Sequence, residues 1–497
     1  MTICTDGLAM GTEPMPRQLP HLPALDGLRA IAVIFVVAYH LDVGWARGGF
    51  IGVDIFFVIS GFLITRLLID EQGTNGRIAV IGFWIRRFRR LVPALVVMVG
   101  ATLLATRWWG LPEQWDDVRR DGVASLAYVA NWRFVFDRQS YFESAIGPSP
   151  LLHTWSLAVE EQWYLVWPIV MVGLLALAQR PRRGAAIATM TVVLAAVASA
   201  GLMAALYDPA DASRVYFGTD TRAQQLLVGA ALAWFTTWVP TLQDVPEHRV
   251  FRLASQISLV TLGVIAVTVD DTSAWLYRGG FLAISVLAAV VVFGTATTHR
   301  RGAFNWLGGQ PWGWIGRRSY GIYLWHWPVI LFVGPAMGLE MATVPLIAVQ
   351  LTVTLLLAEM SFRLVEQPVR RSVAPATRTI AAWTLGASAG PLSAPWGSPP
   401  RPTADSSSSV PSCYRLTTSS LRRRPHMSNR SRNFSRHRRL LAPNAHPATW
   451  QLPPQKCRPF VVWCCSVIRL RIRSRSSSTD PSRRCGMCRP SSRPGVH

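Results

Sequence analysis

Residues 24–65 read ALDGLRAIAVIFVVAYHLDVGWARGGFIGVDIFFVISGFLIT. The stretch holds two apolar runs, each long enough to cross a bilayer as a helix, joined by a short glycine-rich hairpin. The first run carries a basic residue at each end, Arg29 and His40, and residues 30–39 between them carry no charge. At about 1.5 Å per residue the two lie roughly 16 Å apart along a helix, close to three full turns, so both side chains fall on nearly one face. A histidine near a helix end has an ordinary use in meeting lipid headgroups. Inside a bundle, however, an ionisable residue is costly and faces a cavity or a partner, and histidine exchanges a proton near neutral pH.

The rest of the chain is built in the same style. Half of its 497 residues are hydrophobic and the mean hydropathy is +0.26, high for a soluble protein and ordinary for a polytopic membrane protein. The net charge of +23 is uneven: from residue 391 onward lie 20 Lys or Arg against two Asp, so the tail supplies most of it. The basic pI is therefore no argument for nucleic-acid binding by the main body. Six of the seven cysteines also lie in that tail, which leaves the membrane part without a disulfide framework or thiol chemistry. Residues 1–22 contain three prolines and no long apolar run, so no cleavable signal peptide is expected and the first helix would itself direct insertion.

Hydropathy predicts about ten spans, near 27–44, 51–69, 92–109, 154–178, 185–206, 222–239, 253–269, 280–297, 318–335 and 342–361. Every even-numbered exit is basic (Arg77 and Arg86, Arg182 and Arg183, Arg249 and Arg252, Arg300 and Arg301, Arg370 and Arg371), whereas odd exits carry Asp42, Glu113, Asp116, Asp208 and Asp270. The positive-inside rule then expects the N-terminus, the basic loops and the end of the chain in the cytoplasm. The long connection 110–149, with Trp115, Trp132, Tyr141 and Phe142, reads as an ordered, partly helical external cap.

Three further stretches carry ionisable groups. Residues 83–95, FWIRRFRRLVPAL, set Arg87 and Arg90 three apart on one helical face, as are Arg86 and Arg89. Such a cluster serves as a cytoplasmic anchor, and a pair of guanidiniums also makes a bidentate site for phosphate or pyrophosphate. Residues 152–168, LHTWSLAVEEQWYLVWP, place Glu160 and Glu161 in an apolar span, with His153, Glu160 and Tyr164 on one face. An aromatic belt explains the tryptophans there but not the paired glutamates; an inward His and Glu suit positioning a hydroxyl or moving a proton. Residues 318–328, RSYGIYLWHWP, put Tyr323 and His326 three apart on one face, as buried packing or as cavity lining. Asp54 and Arg222 are further intramembrane or interfacial charges, each of which can serve simply to pair with another span. There is no phosphate loop, dinucleotide fingerprint or zinc-protease motif, and no metal site is expected.

Taken in order, LDGLRAIAV with His40, GVDIFFVISGFLIT, RRFRRLVPAL, HTWSLAVEEQWYLVWP, RSYGIYLWHWP and SFRLVEQPVRR resemble the acyltransferase-3 family of integral-membrane O-acyltransferases, over about residues 22–371. The resemblance implies transfer of an acyl group from a cytoplasmic acyl-CoA co-substrate to a hydroxyl of an envelope polysaccharide or glycolipid, with no bound cofactor and no nucleic-acid partner, in the bacterial cytoplasmic membrane. It implies His40 as the catalytic histidine, as base or as acyl relay. It also implies Arg87 and Arg90 as the donor-handling pair and Asp26 with Arg29 as a second polar pair. Glu160 joins His40 as a catalytic candidate; Asp54, His153, Glu161, Tyr323 and His326 are supporting candidates. The expected fold is all-α, a polytopic membrane domain over 23–372 after a cytoplasmic segment 1–22. A transporter or flippase, or an inactive remnant of an acyltransferase, is the competing function.

The end of the chain departs from the family pattern. Relatives of this kind often continue with one more span and an extracytoplasmic SGNH-type domain. Here residues 373–390 begin like such a span, and 391–497 turn into a low-complexity, basic and disordered tail. Residues 463–469, WCCSVIR, can be encoded so that a frame shifted by two bases reads VLLGDS, the form of an SGNH nucleophile block. The tail is thus expected to be out-of-frame translation; coding DNA that yields no GDS in another frame would end that reading.

Overall fold

The computed structural model describes residues 22–110, 112–137, 148–177, 181–238, 249–297, 304–339 and 341–371. The chain divides into two units, Met1–Pro400 and Arg401–His497, and every described residue belongs to the first. Segment 1–21, the start of an extra span at 373–390 and the basic tail at 391–497 lie outside the described residues, as do Tyr141 and Phe142.

Among the described residues the fold is helical, without strands. The long helices are α1 (Pro23–His40), α2 (Gly52–Asn75), α3 (Val80–Trp109), α6 (Thr154–Leu177), α7 (Pro181–Leu206), α9 (Thr219–Trp238), α10 (Arg249–Thr268), α11 (Phe281–Thr297), α12 (Trp312–Phe332) and α13 (Thr343–Met360). Short helices α4 (Trp115–Leu126), α5 (Ala130–Phe136), α8 (Ser213–Phe217) and α14 (Gln367–Arg371) complete the order. Each expected span falls on one long helix. Seven helical stretches among the described residues are long and apolar enough to cross a membrane. The other three long helices, α6, α9 and α12, carry Glu160 and Glu161, Asp220 and Arg222, and Arg317 and Arg318. Hydropathy under-reads the helices that bring ionisable groups into the bundle.

The one large boundary change is α3. It begins at Val80, not near residue 92, so the arginine cluster lies on the helix itself. Isoleucine, phenylalanine and tryptophan interleaved with the arginines give that first part an apolar stripe, and long arginine stems lie along apolar surface while their heads reach polar groups.

The helices sort into a centre and a rim. The α2 stretch is 78% buried, against 17% for the stretch containing α13 and 22% for α10. Around α2 sit α1, α6, α9 and α11, and α12 packs along α1. Close approach is made by glycine, as expected where lipid supplies no hydrophobic drive between helices. A Cβ on Gly61 of α2 would stand 2.0 Å from the Leu226 carbonyl oxygen of α9, and one on Gly229 of α9 would stand 2.1 Å from Val58 O of α2. These reciprocal glycines let the two backbones touch.

The cap is partly helical, as expected, in α4 and α5. Its hub is Asp121, fully buried, which accepts from Arg133 Nε at 2.6 Å and Ser149 Oγ at 2.7 Å. Burial pushes the Asp121 carboxyl above the ordinary carboxylate range, and the Ser149 and Arg133 hydrogen bonds pull it back.

Candidate active site

Two polar clusters share α1, one at each end. The first surrounds Arg29. A cavity of about 80 Å³ is lined by residues of α1, α2, α3, α6 and α12, among them Arg29, Arg87, Arg90, Ser60, Glu160 and Tyr323. Such a volume admits about one phosphate-sized group of a larger ligand, not the whole of it (a water occupies about 30 Å³ of liquid). Arg29 pairs with Asp26 one turn earlier, at 3.6 Å. Arg87 lays its guanidinium over the Tyr164 ring, 4.7 Å from the centroid. Glu160 accepts from Tyr164 OH at 2.5 Å and from Ser60 Oγ. Three arginines against Glu160 and Asp26 leave the site biased toward an anion.

Rotation about α3 separates Arg87 and Arg90 from Arg86. Arg87 and Arg90 line the cavity. Arg86 turns to Glu71 at 3.6 Å, with 58% of its side chain exposed.

The second cluster surrounds His40. His40 Nδ1 lies 3.2 Å from His326 Nε2 and 2.9 Å from the Val36 carbonyl. The His40 ring also packs at 4.8 Å against Trp327. His153, in the turn before α6, faces His326 with ring centroids 5.5 Å apart. Tyr323 links the clusters: it lines the arginine cavity, its ring is 5.3 Å from His326, and its hydroxyl meets Ser156 Oγ at 2.5 Å and the His153 carbonyl at 2.9 Å. Beside His40, Tyr39 donates to Asp271 in the connection after α10. Burial raises the Asp271 carboxyl above its ordinary range, against the pull of Tyr39.

Prolines inside the helices prepare these contacts. Proline has no N–H, so the carbonyl four residues earlier loses its helical donor. Pro328 frees Leu324 O, and His153 Nε2 binds it at 3.1 Å. Pro168 frees Tyr164 O, and Trp84 Nε1 binds it at 3.1 Å. In a bundle shielded from water, side chains from neighbouring helices satisfy such carbonyls.

Most of the expected residues therefore converge, but not into one site. His40, His153 and His326 form one cluster; Arg29, Arg87, Arg90, Glu160 and Tyr164 form the other. Glu160 keeps company with the arginines, because seven residues separate it from His153 and carry it about 10 Å down α6. Glu161, buried beside it, lies within electrostatic reach of Glu160, Arg87 and Arg90. Asp54 takes part in neither: it pairs with Arg222 at 3.3 Å and accepts from Gln225 at 2.8 Å. Arg222, fully buried, sits among the rings of Trp155, Tyr216 and Phe281 at 4.4–5.3 Å.

The Asp54–Arg222 pair thus reads as a lock between α2 and α9. Asp54→Leu alone strands a buried cation and is expected to cost about 3–5 kcal/mol, whereas Asp54→Leu with Arg222→Met is expected to recover most of that loss. Thermal unfolding of the three proteins in one detergent checks it.

Sequence reasoning passes over Ser60 and Ser156, which look like any small residue in an apolar run. It also passes over Tyr128, whose backbone is left-handed (φ 57°) and whose buried hydroxyl has no hydrogen-bond partner among the described residues. Strained non-glycine residues concentrate at functional sites, but φ has no signature in a tyrosine-containing loop.

An arginine-lined cavity and a histidine cluster thus lie on the same helices of one bundle. A family model for an acyltransferase domain matches residues 22–359. The chain belongs to the acyltransferase-3 family. It is similar to the peptidoglycan O-acetyltransferase OatA of Listeria monocytogenes, 41% identical over 357 residues, covering 71% of this chain and 56% of that protein. It is equally similar to the putative peptidoglycan O-acetyltransferase YrhL of Bacillus subtilis, 41% identical over 363 residues, covering 70% and 55%. The O-acetyltransferase OatA of Staphylococcus aureus is 39% identical over 358 residues, covering 71% and 57%. The chain spans a little over half the length of these relatives. No solved structure matches.

Proposed function

We propose that this chain transfers an acetyl group from a cytoplasmic acyl-CoA to a hydroxyl of an envelope glycan, with peptidoglycan the first choice given the names of its relatives. The observation that carries the reading is the two-ended arrangement on α1: arginines at one end, histidines at the other, and Tyr323 between. Arg29, Arg87 and Arg90 hold the phosphorylated donor, because guanidinium pairs phosphate oxygens in a bidentate way. The basic even-numbered exits support an orientation with that end at the cytoplasmic face. Glu160 and Asp26 orient the arginines and limit the excess positive charge. At the other end His40 receives a proton from the acceptor hydroxyl, or carries the acyl group to it. Tyr323 and Ser156 separate the two ends, so the acyl group passes their hydroxyls on its way.

The test is thiol release from acetyl-CoA by the protein purified in lipid, with labelled acetyl followed into an envelope glycan extract. Expected is release that depends on protein and on the acetyl thioester, and label in the glycan when acceptor is present. Flux of donor or glycan across the vesicle membrane with no thiol release would overturn the reading in favour of a transporter.

A further inference from the structure

The arginine cavity is too small for a whole donor. About 80 Å³ admits one phosphate-sized group, whereas the adenosine of an acyl-CoA carries a diphosphate on one ribose carbon and a further phosphate on another. The remaining phosphate charge needs cations outside the cavity. Helix α13 ends in a π-helical turn, Ser361–Glu366, which leads into α14, and both turn and helix pack against α3. Such turns are rare and recur at functional sites. This one sets Glu366 and Arg370 within electrostatic reach of Arg90, a residue of the cavity wall.

Arg90 and Arg370 are like charges brought together, an arrangement that a bound anion relieves. Among the described residues neither is engaged by a hydrogen bond or an ion pair. Glu366, the carboxylate within reach of both, is buried, and its Oε1 has no hydrogen-bond partner among the described residues. The arginines nearby are already taken. Arg318, also within reach of Glu366, holds Glu359 through Nε and Nη2 over the Trp314 and Phe362 rings, and Arg363 holds the same carboxylate. A plain anchor at the membrane face needs exposed arginines, but not a buried carboxylate beside a free pair. We propose that Arg370 forms an outer subsite of the donor and binds a phosphate on the nucleotide end of acyl-CoA, while Arg87 and Arg90 in the cavity take the phosphate nearer the thioester. The subsite deepens the donor reading given above and rests on it. Arg370 is exposed and Arg90 lines the cavity, so the two run from the surface inward, the order in which the ends of such a donor lie.

The experiment uses the full chain in lipid nanodiscs at low salt. Adenosine 3′,5′-bisphosphate, the nucleotide end of the donor alone, is titrated by calorimetry. Expected is binding by the wild type that Arg370→Ala weakens about 10-fold, the low end for a hydrogen bond to a charged group, and that Arg363→Ala changes by no more than about twofold. In thiol release, Arg370→Ala is expected to raise KM by about the same 10-fold for acetyl-CoA but not for acetyl-4′-phosphopantetheine, which ends at a single phosphate; Arg87→Ala is expected to raise both. Because Arg370 is exposed, thermal unfolding of its variant is expected to match the wild type. No binding of the bisphosphate by the wild type, or equal binding by Arg370→Ala, would overturn the subsite. An equal effect of Arg363→Ala would also overturn it, in favour of a diffuse basic face, as would an equal effect of Arg370→Ala on the two thioesters. If the bisphosphate binds through Arg370 while no thioester is cleaved, the acyl-transfer reading fails and the nucleotide subsite stands.

Discussion

His40→Ala is expected to lower acetyl transfer by about 10²–10⁴-fold, the range for losing a positioned proton-transfer group, while leaving donor affinity nearly unchanged. The split follows from position. His40 stands at the C-terminal end of α1, roughly 16 Å along the helix from Arg29, and is not among the residues that line the arginine cavity. His326, Val36 and Trp327 are among its contacts. On the proposed reading, a substitution there touches the transfer step and not the donor's phosphates. Donor binding measured by calorimetry on both proteins, beside single-turnover transfer, separates the two. A large loss of donor affinity in His40→Ala would mean that the clusters are not the separate stations described.

Arg87→Ala is expected to raise donor KM by about 10- to 100-fold, corresponding to about 1.5–3 kcal/mol for a hydrogen bond to a charged group. Arg86→Ala, one residue away, is expected to change it by no more than about twofold. The two arginines are indistinguishable by composition and by spacing, so the comparison isolates direction. Arg87 lies on the cavity wall over Tyr164, whereas Arg86, with most of its side chain exposed, turns away from the cavity to the largely buried Glu71. Arg87→Lys is expected to recover only part of the loss, since an ammonium cannot repeat the planar two-point contact. Equal effects of Arg86→Ala and Arg87→Ala would show that the cluster acts as a diffuse charge at the membrane face. Thermal stability recorded beside the kinetics keeps loss of the Tyr164 contact from being read as loss of donor binding.

Helix existence was legible in the sequence to a useful degree because bilayer length and hydropathy constrain each span locally. Where reading was weakest, as at α3, the arginines interrupted the apolar signal while the interleaved aromatics kept the helix going. Asp54 illustrates the limit for sites. Its burial was foreseeable, but whether a buried carboxylate serves catalysis or a structural pair depends on what lies opposite, and Arg222 stands 168 positions away in the chain. Glu160 makes the same point more sharply. A helical period puts it on the face of His153, yet a face extends along a whole helix, and the two residues serve different clusters.

By itself the amino-acid sequence determined an all-helical membrane body, the order of its long helices, and a set of ionisable residues too costly to bury without purpose. It also carried the ordered motifs that place the chain in its family. Those properties are local: apolar length, helical period and residue type act within a span. Only the tertiary structure decided which arginine turns inward, that Asp54 meets Arg222, that Pro328 leaves a carbonyl for His153, and that His326 reaches His40 across 286 positions. Each of these depends on rotation and depth of one helix against another, quantities set by glycine contacts and side-chain packing between spans and encoded in no single stretch.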